Sequence, residues 1–138
     1  MRKLILLLLC TATLGLASCK KDTIVQETSN KSIIYDIAPN QWTTTDGGKT
    51  YTNIFTKIPE IDQYGLENEG TLVYISYNNE TSYIQVPFVY NLDSYSYEVS
   101  NNKLVLTIQS SSFSAPNPTK PITNVRVKVV IVAAKNVV

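Results

Sequence analysis

From Ser32 onward, apolar residues recur at every second position, and turn signals break the runs at near-regular spacing. A period of two is the period of a strand with one buried face, so this pattern restricts the chain to sheets. Ile33, Tyr35 and Ile37 alternate with Ile34 and Asp36 until Pro39 stops the run. Thr45-Asp46-Gly47-Gly48 is a turn, and Thr50–Ile58 carries the β-branched and aromatic residues of a strand. Thr71–Tyr77 is a strand with Leu72, Tyr74 and Ser76 on one face and Val73, Ile75 and Tyr77 on the other. Asn78-Asn79 signals a hairpin into Ser82–Phe88, where Pro87 predicts an edge or a bulge. Tyr95, Tyr97 and Val99 lead through Asn101-Asn102 to Leu104, Leu106 and Ile108, the clearest hairpin in the chain. The proline-rich connection 110–121 cannot be a central strand. The last strand, Thr123–Val132, puts Val125, Val127, Val129 and Ile131 on one face and Arg126 and Lys128 on the other. Helix is expected only as one short turn over Pro59–Tyr64, with Pro59 at the first helical position and Gly65 and Gly70 limiting it.

Seven such strands predict an all-β domain over residues 32–138, an immunoglobulin-like antiparallel β-sandwich of about seven strands. A jelly roll or a small barrel is the alternative. The long connection before the last strand suits a Greek-key return.

The residues before this domain have a different character. Arg2 and Lys3 precede a 13-residue stretch, Leu4–Leu16, broken only by Thr11, Thr13 and Gly15. A membrane-spanning helix needs about 20 apolar residues, so the layout is that of a secretory signal. Its end, Leu16-Ala17-Ser18-Cys19, resembles a bacterial lipobox. The resemblance implies a diacylglyceryl thioether on Cys19, cleavage between Ser18 and Cys19, and acylation of the new amine. An ordinary signal peptide with a chance Cys, or a buried apolar helix, is the alternative.

Removal of 18 of the 138 residues would leave 120, with Cys19 as the one remaining Cys. Such a chain forms no internal disulfide, so its core must hold the fold. Without Arg2 and Lys3, ten basic residues face eleven acidic ones. That balance argues against nucleic acid as a partner and against electrostatic binding to anionic lipid. The expected membrane contact is made by the acyl chains on Cys19. Residues 19–31 comprise this Cys and the polar stretch Lys20–Lys31, which reads as a flexible tether. Twelve residues reach at most about 40 Å when extended. Lys20-Lys21-Asp22 resembles a surface-export signal, and Asp22-Thr23-Ile24 an O-glycosylation acceptor; a solvated linker explains both as well.

The stretch from Trp42 to the C-terminus resembles small uncharacterised lipoproteins of Bacteroidota, some of which carry collagen-like tracts. The matching pieces are Ile58-Pro59-Glu60-Ile61, Asn68–Tyr74, Val86-Pro87-Phe88 and Arg126–Ile131, together with Trp42. This chain has Tyr83 where that family often has Trp, and it lacks the Gly-X-Y tract. The resemblance implies a β domain in the outer membrane, on its periplasmic face or at the cell surface, and no activity.

The chain contains no His. This removes Ser-His-Asp and Cys-His catalysis and His-ligated zinc or haem, and two Cys cannot build an iron–sulfur site. No cofactor is expected, and a non-enzymatic binding or structural domain is the first expectation. A glycan-binding accessory module of a nutrient-uptake system is the second, and a carboxylate-based hydrolase the third. Tyr, Ser, Thr and Asn make up 45 of the 120 residues from Cys19 onward. These types suit a sugar surface and are equally ordinary in a sandwich. Tyr95 and Tyr97 share a face and are the candidate stacking pair. Trp42 is expected to anchor the core or its rim, with its indole N–H on a loop carbonyl. Glu60, Asp62, Glu67 and Glu69 crowd one loop, where a calcium ion or a glycosidase pair could be sought.

Overall fold

A computed structural model describes residues 29–77 and 81–134. The leader, the lipobox with Cys19, the tether up to residue 28 and the Asn78-Asn79 turn lie outside the described residues.

The strands are β1 (Lys31–Ile37), β2 (Thr50–Thr56), β3 (Glu69–Ser76), β4 (Ile84–Val86), β5 (Phe88–Tyr90), β6 (Asp93–Ser100), β7 (Lys103–Ser110) and β8 (Val125–Ala133). A 3-10 turn, Pro39–Gln41, follows β1, and one short helix, α1 (Gln63–Asn68), precedes β3. Two four-stranded antiparallel sheets, ordered β1-β8-β3-β4 and β2-β7-β6-β5, form the expected sandwich. In immunoglobulin domains the first strand neighbours the second. Here β1 pairs with β8, and β2 pairs with β7 in the opposite sheet.

The alternation read from the sequence builds the core. Leu104, Leu106 and Ile108 of β7 face Val125, Val127, Val129 and Ile131 of β8, and all are buried. Val73 and Ile75 of β3, Ile37 of β1 and Val86 of β4 complete the first sheet's inner face. At the hairpin between β6 and β7, Asn102 takes the expected positive φ of 55°.

Two elements depart from expectation. The run Ser82–Phe88 is not one strand: it divides at Pro87 into β4 and β5, which are edge strands of different sheets. Pro87 has no N–H to donate to a ladder, and the chain changes layer there. The helical turn expected over Pro59–Tyr64 lies further along, with Asp62 as its N-cap, accepting from the Gly65 N–H at 2.7 Å. Ile58 and Ile61 hold the preceding residues in the core, so Pro59 is not the first helical position.

Trp42 is only 3% exposed, as its anchoring role requires. Its indole N–H, however, finds no partner among the described residues. The adjacent Gln41 carbonyl accepts from Asn53 Nδ2 at 3.0 Å instead.

The register defines two ends of the sandwich. Lys31, Ile131 and Thr71 lie side by side near the end where the chain enters. Asp36, Arg126 and Ser76 lie side by side near the other end. Arg126 there makes a two-pronged ion pair with Asp36, at 2.8 and 2.9 Å. Five residues of β3 separate the two levels, about 17 Å of strand.

Candidate functional site

At the end remote from Lys31, the sheets do not close on each other. An open groove of about 540 Å³ runs between the β3–β4 edge of one sheet and β5–β6 of the other. That size lies within the range of small-ligand sites. One wall carries Ile75, Ser76, Tyr77 and Ile84; the other carries Phe88, Tyr90, Asp93 and Tyr95. The connection before β8 supplies the rim, with Lys120 and Ile122.

Tyr77 is the last inward position of the alternation in β3, carried just past the strand end. Tyr95 alternates inward from β6 and is 7% exposed. Its ring stacks on Phe88 with centroids 4.4 Å apart and planes 6° from parallel, and it meets Tyr77 edge-on at 6.3 Å. Tyr90 stands at the end of β5, 64% exposed. The turn after it places Asn91 and Leu92 both at positive φ, 48° and 69°. A two-residue hairpin of this hand needs such angles, and a branched residue such as Leu rarely adopts them.

Asp93 is buried, and its Oδ2 accepts the Thr119 N–H at 3.1 Å, fastening the proline-rich connection over the groove. Two hydroxyls remain. Ser76 Oγ and Tyr77 Oη are both buried, and among the described residues neither meets a partner in good hydrogen-bond geometry; the Tyr95 hydroxyl lies close to Tyr77 Oη. Burial pushes the Tyr77 phenol up, and the Tyr95 hydroxyl and the Asp93 charge raise it further. The Tyr95 phenol is raised by burial as well.

This shift carries a sign. An unfolded tyrosine ionises near 10.0, whereas folded Tyr77 stays neutral at that pH. Its stabilising share is therefore complete below pH 10.0 and is lost as pH rises above it. Tyr77→Phe is expected to lose stability less steeply in alkali than the wild type, read by urea unfolding at a series of pH values. Equal slopes would contradict this.

The two tyrosines singled out from the sequence have separate places. Tyr95 belongs to the groove. Tyr97 points across the sandwich, where its hydroxyl donates to the Thr71 carbonyl at 2.7 Å. The two do not form an exposed stacking pair: Tyr95 is covered by Phe88, and Tyr97 ties β6 to β3. Sequence reasoning missed Tyr77, Phe88, Tyr90 and Asp93 as a group.

The acidic loop is at the opposite end. Asp62 caps α1, Glu67 accepts from Gln63 Nε2 at 2.8 Å, and Glu69 opens β3. Among the described residues no three Asp, Glu or Cys side chains come together as metal ligands. Asp93 is the single carboxylate lining the groove among the described residues. A second concavity, of about 550 Å³, lies among Lys49, Gln109, Phe113 and Asn117. Its polar groups are used locally, with Ser110 Oγ donating to the Ser112 carbonyl at 2.9 Å. The chain matches no family model, no curated protein and no solved structure.

Proposed function

We propose that the protein is a lipid-anchored lipoprotein of the cell envelope, whose β-sandwich is a non-enzymatic binding module with its site in the groove between the sheets. The observation that carries this reading is the position of the groove. The chain enters the sandwich at Lys31, level with Thr71, while Ser76, Tyr77 and Tyr90 line the groove at the far end. A domain hung by Cys19 and a tether ending at Lys31 presents that groove away from the bilayer. Support for the anchor is the sequence Leu16-Ala17-Ser18-Cys19 behind a charged and apolar leader. The outer membrane is the membrane this reading assigns, with the domain on its periplasmic face or at the cell surface.

Support for binding is a concave site of ligand size whose wall mixes aromatic rings with polar side chains. Growth with a palmitate analogue tests the anchor. The wild-type chain is expected to take up label and Cys19→Ala to take up none. Label on both would refute attachment at Cys19.

A further inference from the structure

We propose a second binding site, separate from the groove: the open backbone edge of β6 over Ser96–Ser100 takes an extended peptide as an added antiparallel strand, with a basic residue of the peptide opposite Glu98.

The two sides of β6 are unequally covered. On one side it pairs with β7 over its whole length, from Asp93↔Ser110 to Ser100↔Lys103. On the other side β5 covers only Asp93 to Tyr95, because the chain leaves that lane at Pro87 for the other sheet. The turns fix which backbone groups are left over. Ser100 and Lys103 flank a two-residue turn, and such a pair exchanges both of its N–H···O bonds. Bonding then alternates along the strand. Ser96, Glu98 and Ser100 bond to β7, while Tyr97 and Val99 turn their N–H and C=O to the side that β5 has left. Tyr90 and Asp93 flank the turn between β5 and β6 and give the same alternation. Among the described residues, Tyr97 and Val99 have no backbone partner on that side.

The neighbouring edges are occupied or balanced. The Thr71 carbonyl of β3, across the sandwich, already accepts from the Tyr97 hydroxyl at 2.7 Å. At β2, Thr52 exchanges two backbone bonds with Thr43, at 2.8 and 2.9 Å. β1, beside the tether, carries both Lys31 and Asp36, and Asp36 is neutralised by Arg126. On the open part of β6 the charged residue is Glu98. It is exposed, lies beside Val105 of β7, and has no ion pair among the described residues.

That charge selects the occupant. A second copy is disfavoured: the one antiparallel register that uses both open residues of each copy pairs Tyr97 with Val99 and sets Glu98 directly against Glu98. A peptide with Lys or Arg at that position turns the same contact into an attraction. The residues on either side of it oppose Tyr97 and Val99, which pack half-buried against the core, so they are apolar. The pattern that fits is polar, apolar, basic, apolar, polar, over about 17 Å of strand. Main-chain bonds then supply affinity and alternate side chains supply specificity.

Amide exchange read by NMR tests this on the processed chain in nanodiscs, with the end-blocked peptide Thr-Val-Lys-Val-Thr as the probe. In the free protein the Tyr97 and Val99 amides should exchange about tenfold faster, or more, than those of Ser96 and Glu98. Slow exchange at Tyr97 and Val99 would mean a closed edge and would overturn the proposal. Millimolar peptide is expected to slow those two amides, and no slowing overturns the proposal as well.

Glu98→Lys should weaken the peptide about fivefold, and a peptide with Glu in place of its Lys should bind that variant better than it binds the wild type. Equal binding of both peptides to both proteins overturns the choice of occupant. Val99→Pro removes a donor that the added strand needs and keeps the bonds to β7, so the peptide should no longer slow Tyr97. Slowing that persists would place the peptide elsewhere. The charge exchange at Glu98 decides the matter even where the proline variant fails to fold. None of these outcomes bears on the groove, at the other end of β6, or on palmitate labelling at Cys19.

Discussion

Leu106→Ala is expected to destabilise the sandwich by about 2–5 kcal/mol. Leu106 is fully buried on the central strand β7, between Asn53 of β2 and Tyr97 of β6 in the register. Truncation removes its transfer free energy and leaves a cavity that flanking strands on both sides prevent from collapsing. A domain of this size has about 5–15 kcal/mol in total, so the loss is a large fraction. The described domain contains no Cys, so no disulfide offsets it. Urea unfolding should show a lower midpoint at unchanged slope. Ile54→Ala is the comparison, because Ile54 is 53% exposed on the edge strand β2 and should change stability by less than about 1 kcal/mol. Equal effects at the two positions would mean that the inward face has been misplaced.

Cys19→Ala is expected to abolish the lipidated outer-membrane pool altogether. Each buried CH₂ contributes roughly 0.8 kcal/mol, so one acyl chain binds marginally and two or three bind in a way that survives washing. Twelve basic residues against eleven acidic ones, or ten against eleven without the leader, give no attraction to anionic lipid. Among the described residues, no helix is long and apolar enough to cross a membrane. Separation of the membranes on a density gradient should find the wild type in the outer-membrane fraction. The variant should be absent from it and migrate as a longer, unprocessed chain. An outer-membrane pool of unchanged size would contradict the anchor.

The sandwich was legible because its information is local. In β7 and β8 every second residue is apolar, and that parity alone assigns Leu104, Leu106, Val127 and Val129 to the core. The hairpin at Asn101-Asn102 was legible because Asn tolerates the positive φ that the turn needs. Leu92 illustrates the reverse. It adopts a positive φ of 69°, against the preference of its residue type, so the turn between β5 and β6 left almost no trace in the sequence. Pro87 signalled a break without saying that the chain would pass to the other sheet, which is a matter of long-range pairing.

The groove was illegible for a related reason. Tyr77, the hairpin from Tyr90 to Asp93, and Thr119 come from three separate segments, brought together by the layer crossing at Pro87 and by the Thr119–Asp93 bond. Tyr95 was found and Tyr97 was overread, because parity places both on the inner face. Parity cannot show that one hydroxyl reaches the Thr71 carbonyl across the sandwich.

Depth-dependent fluorescence quenching tests the central claim most directly, that the groove points away from an anchoring bilayer. Once Cys19 is acylated, a single introduced Cys is the sole free thiol of the processed chain. A dye is placed at Lys31→Cys in one sample and at Tyr90→Cys in another, with the protein in liposomes that carry a quencher on the lipid headgroup. The account predicts stronger quenching at position 31, beside the tether, than at position 90, beside the groove. Equal quenching, or stronger quenching at position 90, would contradict it.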